Sequence, residues 1–93
     1  MSDQSFTSVW DAIEDTPEEA ENMKLRSALM LALKDHLTRA AMSKADAARL
    51  LGVTQPRISD LMRGKINLFG LDALVNMATA AGLRIELKVT TAV

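Results

Sequence analysis

Apolar side chains recur at spacings of mostly three and four along one long stretch: Met23, Leu29, Met30, Leu33, Leu37 and Ala40. That period predicts a helix from residue 16 to about Ala41. Thr16-Pro17-Glu18-Glu19 is a strong start signal, with a capping hydroxyl, a proline at the first position and a carboxylate at the third. A bend or break is expected near Asn22, where an acidic stretch gives way to a basic one. Ala45, Ala48, Leu50 and Leu51 mark a second, shorter helix, and Ile58, Leu61 and Met62 a third. Ile66 to Phe69 reads as a loop. Leu71, Leu74, Val75 and Ala78 form the stripe of a further helix, closed by Ala81-Gly82. The period then drops to two: Leu83, Ile85, Leu87 and Val89 alternate with Arg84, Glu86, Lys88 and Thr90, which predicts a strand over 83–90. Upstream, Ser8-Val9-Trp10-Asp11-Ala12-Ile13 suggests one more helical turn. The expected fold is all-α, a bundle of about five helices with one C-terminal strand.

The stretch from Ser43 to Gly64 organises the rest. Ser43 with Asp46 three residues on is a variant of the capping box. Gly52 stops the first short helix. Thr54 caps the second, and Pro56 is tolerated there because it falls in the first turn, where an N–H has no intrahelical partner. Gly64 ends it. Small residues where two helices meet, a glycine in the turn and a second helix with a polar outer face make a helix-turn-helix.

Ala47-Ala48-Arg49-Leu50-Leu51-Gly52-Val53-Thr54-Gln55-Pro56-Arg57-Ile58-Ser59, with Leu61 and Arg63-Gly64-Lys65, resembles the XRE family, the Cro/lambda-repressor-like helix-turn-helix proteins. The likeness extends less sharply over about residues 16 to 90. Lys24-Leu25-Arg26, Leu71-Asp72-Ala73-Leu74 and Gly82-Leu83-Arg84-Ile85-Glu86 resemble a subgroup rich in HigA-type antitoxins of toxin–antitoxin pairs. The resemblance implies that positions one, two, five and six of the second motif helix face base edges; here these are Gln55, Pro56, Ser59 and Asp60. Gln55 can bind adenine through both amide groups, Ser59 can donate or accept, and Asp60 can only accept, so cytosine N4 suits it. Pro56 offers only apolar contact, a departure from the polar residue often found there. Lys44, Arg57, Arg63 and Lys65 are placed for phosphates, which position a protein without reading sequence, and Asn67 adds a backbone contact. Arg49 is left out of this set, because Asp46 and Asp60 are both within reach as ion-pair partners.

The net charge of −1 argues against a nucleic-acid partner until its distribution is read. Residues 1–21 hold seven acids and no base, whereas the remainder holds eleven basic against five acidic residues, a balance of +6. The organisation expected is an acidic N-terminal arm, 1–15, and a basic helix-turn-helix domain, 16–93, with its motif at 43–64 and its strand at 83–90. Acids also favour helix starts and solubility, so the arm has a plain reading beside a functional one. The only Trp, Trp10, either docks on the body beside Ile13 or anchors a partner protein.

Ninety-three residues make one domain. With only 3% aromatic residues the core must be aliphatic and alanine-rich. The chain has no Cys, which removes disulfides, thiolate metal sites and a Cys nucleophile. Its one His, His36, sits beside Leu33 and Leu37 with no acid at ligand spacing, so no metal and no cofactor are expected. There is no glycine-rich phosphate loop and no Ser-His-Asp set, so the chain reads as a non-enzyme. No apolar run approaches the roughly 18 residues of a spanning helix, and no signal pattern opens the chain, which points to a cytoplasmic protein without a membrane partner.

A lone strand leaves a row of backbone groups unpaired. The expected remedy is the same strand of a second copy, antiparallel across a two-fold axis. An axis on Glu86 sets like charges opposite each other, whereas an axis on Ile85 pairs Arg84 with Glu86, and one on Leu87 pairs Glu86 with Lys88. The predicted partners are a second copy through Leu83, Ile85, Leu87 and Val89, double-stranded DNA with a near-palindromic site, and a small basic toxin protein. Two function classes stay open: a dimeric transcriptional repressor, extending to an autorepressing antitoxin, and a protein-binding module that masks a toxin through the arm.

Overall fold

The computed structural model describes residues 16–91. The helical turn expected at 8–13, with Trp10, lies outside that range. Helix α1 spans Pro17–Arg39. Thr16 is extended, and its hydroxyl accepts a hydrogen bond from the Glu19 N–H at 3.0 Å. Glu18 and Glu19 put negative charge at the positive end of the helix. The break expected near Asn22 does not occur. Asn22 Oδ1 accepts a bond from Arg26 Nε at 2.6 Å, one turn on, and so fastens the helix at that point.

Helix α2 spans Lys44–Leu51, α3 spans Gln55–Met62, a short 3-10 turn covers Ile66–Leu68, and α4 spans Leu71–Ala80. The described residues thus hold four α-helices, not five, because the remaining expected turn falls in the N-terminal arm. One device closes all four: an N–H reaches back five residues to a carbonyl. The pairs are Met42 to Leu37 at 3.5 Å, Val53 to Ala48 at 3.0 Å, Lys65 to Asp60 at 3.1 Å and Leu83 to Ala78 at 2.9 Å. Each needs a left-handed residue just before the donor. Gly52, Gly64 and Gly82 supply it three times, and Ala41, at φ 54°, supplies it once. This is why α1 stops at Arg39, short of the expected Ala41.

Helix α1 packs chiefly on α4, and α2 chiefly on α3. The centre is Leu33, Ile58, Leu61, Phe69 and Leu74, all fully buried. Each such side chain contributes about 1.5–3 kcal/mol on burial. Ala47 and Ala48 are buried where α2 meets its neighbours, and their small size permits the close approach. Some expected core positions shift. Ala40 and Leu50 are exposed. On α4 the buried line runs Leu74, Met77, Ala78 and Ala81, at offsets of three, four and seven, which turns Val75 to the rim and leaves Leu71 half-buried. Phe69, expected only as loop, plugs the core from the segment between the 3-10 turn and α4.

The strand expected over 83–90 does not form in the single chain. A ladder needs a second strand, and the described residues contain none. Leu83 bonds back to the end of α4, and beyond it Ile85, Leu87 and Val89 lie exposed. No helix among the described residues is long and apolar enough to cross a membrane.

Candidate nucleic-acid interface

Local chemistry sets the turn between α2 and α3. Ser43 Oγ accepts from the Asp46 N–H at 3.1 Å, and Thr54 Oγ1 accepts from the Arg57 N–H at 3.4 Å. Both caps are extended, and Gly52 between them is left-handed at φ 70°. Any side chain at Gly52 meets backbone strain there, although the space around it is open. Ile58 and Leu61 anchor the inner side of α3 in the core, and Met62 is half-buried against it. The outer side is thereby fixed in orientation by burial.

That outer side carries the residues singled out for base contact. Gln55 and Pro56 are exposed in the first turn of α3, and Ser59 and Asp60 are half-buried in the second. Asp60 is not isolated. Its Oδ1 lies 3.6 Å from Lys65 Nζ, so a base-contact candidate and a phosphate-contact candidate form one ion pair. The pairing offsets the charge with which Asp60 opposes a phosphate. Arg63 is exposed at the end of α3, Lys44 at the start of α2, and Asn67 within the 3-10 turn.

Arg57 sits differently from the others. Its side chain folds along the protein, with Nη1 donating to the Leu68 carbonyl at 2.6 Å and the guanidinium carbon 3.9 Å from the centre of the Phe69 ring. One of its five N–H groups is engaged in this way, and the face of the group is stacked. On the other flank of the same turn, Arg26 Nη1 donates to the Ile66 carbonyl at 3.3 Å. Two guanidinium groups therefore hold the carbonyls on either side of Asn67. Arg49 pairs with Asp46 on α2, as its i, i+3 spacing allows, and stays apart from α3.

Sequence reasoning assigned no role to Arg26 in this site and none to Lys34. Arg26 lies forty residues from the carbonyl it binds. Lys34 comes from α1 to the end of α3, where a Cβ on Gly64 would stand 3.6 Å from its Nζ. Neither contact leaves a local signal. His36 is half-buried on α1, and among the described residues no group of three His, Cys, Asp or Glu is placed to hold a metal.

A family model described as a helix-turn-helix domain matches residues 12–90. No curated protein matches the chain. Among solved structures, one whose name assigns it to the XRE family of transcriptional regulators superposes with a TM-score of 0.72 and 30% sequence identity, over 78% of this chain and 82% of that one. The motif, its caps and these matches agree, and the chain belongs to the helix-turn-helix family of XRE type.

Proposed function

We propose that this chain is a sequence-specific DNA-binding transcriptional regulator that acts as a homodimeric repressor. The observation that carries the reading is the outer side of α3. It carries Gln55 and Pro56 exposed and Ser59 and Asp60 half-buried, with Lys65 paired to Asp60, on a helix whose opposite side is locked in the core. In this reading the four α3 residues meet base edges in the major groove. The surrounding cations and Asn67 meet phosphates, joined by the free N–H groups of Arg57. Two copies set their α3 helices about 34–36 Å apart, one turn of DNA, so the operator is a near-palindrome. Repression follows from occupying successive major grooves over a promoter.

The test is fluorescence anisotropy of the protein on its own upstream DNA and on a scrambled control at roughly 0.15 M salt. A preference of about 10³-fold or more, with two protomers per site, supports the reading. Equal weak binding to both means that α3 does not read this DNA.

One feature of the sequence favours an added role. Seven acids and no base in residues 1–21, beside a body of charge +6, suit a basic protein partner. In this second reading the arm, with Trp10 as anchor, masks a small basic toxin, and the same chain represses its own operon. Deleting residues 1–15 then abolishes toxin binding and spares DNA binding. Loss of both, or of neither, counts against it.

A further inference from the structure

An apolar groove of about 490 Å³ runs between α1 and α4. Leu25 and Leu29 form one side, Leu71 and Val75 the other, and the chain after α4 walls it with Leu83, Ile85 and, at the rim, Leu87. The groove lies apart from the DNA-facing residues of α3. We propose that it is the seat of a second copy of this chain, which covers it with its own Leu87 and Val89. This deepens the homodimer reading given above and rests on it.

The first argument is the exposure along the last segment. Leu83 is half-buried, Ile85 is 42% exposed, Leu87 74% and Val89 82%. The aliphatic series continues as the segment leaves its own body: Leu87 reaches only the rim of the groove, and most of its surface, like that of Val89, lies in solvent. The residues between them are charged, and Arg84 Nε lies 3.9 Å from Glu86 Oε2 in solvent. One side of the segment is therefore polar and the other apolar, and the apolar side leaves the core progressively after Leu83.

The second argument is the backbone. Among the described residues, no backbone hydrogen bond involves residues 84–91. The Leu83 N–H is already bonded to the Ala78 carbonyl at 2.9 Å. In extended chain, successive residues turn their N–H and C=O groups to opposite edges. A strand that pairs through the N–H and C=O groups of Arg84, Glu86, Lys88 and Thr90 thus leaves the Leu83 bond to α4 intact. A free edge takes an antiparallel strand.

Charge selects the occupant. A second copy brings the same alternation, and an axis on Ile85 or on Leu87 sets Arg84 against the partner's Glu86 or Glu86 against the partner's Lys88. In either register the aliphatic residues of both strands fall on one face of the ribbon. That face is continuous with the groove, because Leu83 and Ile85 belong to both. The partner's Leu87 and Val89 then leave solvent as the groove does, and two-fold symmetry makes the exchange mutual.

Sedimentation equilibrium on the full chain tests this, with four variants. Leu25→Glu and Val75→Lys place a charge in the groove. Leu87→Glu alters an exposed side chain of the segment, so it leaves the fold of the body intact. Leu31→Glu, on an exposed position of α1 outside the groove, is the control. Circular dichroism reports folding. The expected result is a dimeric wild type and a dimeric Leu31→Glu, with dimer affinity lowered about 100-fold or more in each of the other three. A dimeric wild type whose Leu25→Glu, Val75→Lys and Leu87→Glu variants stay equally dimeric overturns the groove as the seat and leaves the homodimer reading standing. A monomeric wild type overturns both.

Discussion

The guanidinium of Arg57 lies 3.9 Å from the centre of the Phe69 ring while the same group binds the Leu68 carbonyl. A residue of α3 is thus tied to the segment that plugs the core. The tie couples the stability of the fold to the position of the turn over Ile66–Leu68. Arg57→Ala is expected to lower unfolding free energy by about 1–3 kcal/mol and to reduce the salt slope of DNA binding by about one. Arg57→Lys separates the two effects. Lysine keeps the charge but lacks the planar fork that stacks and points at a carbonyl. Urea denaturation is expected to register the loss of stability for both variants, and salt titrations a slope near that of wild type for lysine alone.

Gln55 is exposed in the first turn of α3, where it projects its amide free of the core. Gln55→Ala should cost about 1–3 kcal/mol at one base pair and relax preference there. Binding to a panel of operators changed one base pair at a time is the check. Equal losses on cognate and random DNA would remove Gln55 from base readout.

The pair between Asp60 and Lys65, at 3.6 Å, sets a carboxylate beside a cation proposed to meet a phosphate. Asp60→Asn removes the repulsion and releases the lysine. We expect tighter binding to random DNA, a salt slope steeper by about one and a smaller ratio of specific to random affinity. Anisotropy on both DNAs across a salt series measures all three.

Ala41 takes a left-handed backbone, at φ 54°, in an exposed position where the other three helices have glycine. An L side chain there costs about 1–2 kcal/mol, part of which glycine gives back by its greater freedom in the unfolded chain. Ala41→Gly is expected to stabilise the protein by about 0.5–1 kcal/mol with DNA binding unchanged. Thermal or urea unfolding decides the matter, and a loss of stability would contradict it.

These residues also mark how far the chain could be read before its structure. Ser43, Thr54, Pro56, Gly52 and Gly64 announced the motif because caps and turns are made between residues a few positions apart. The four helices followed for the same reason, since their period is local. Arg26 and Phe69 were not legible in their roles, because each acts on a partner brought close only by packing. Ala41 gave no sign, as alanine is the residue least associated with ending a helix. Asn22 misled, because an acidic-to-basic change in composition looked like a boundary while its amide was a helical fastener. The alternation from Leu83 to Val89 pointed to a strand that the described residues do not form, because one run of alternation becomes a ladder only where a second strand exists.

The core holds no buried polar or charged residue among the described residues. Leu, Met, Ala and Phe attract one another without direction, and cores of that kind accept swaps of similar volume. Burial of Ile58 and Leu61 sets which side of α3 faces out, and a ring of directional bonds near the surface adds to it: two hydroxyl caps, four reach-back closures and two arginines gripping one turn. Asp60 belongs to that rim, through its carbonyl and its pair with Lys65, whereas Gln55 and Pro56 lie exposed. Exchanges at Gln55 can thus alter what α3 presents without retuning the scaffold beneath it.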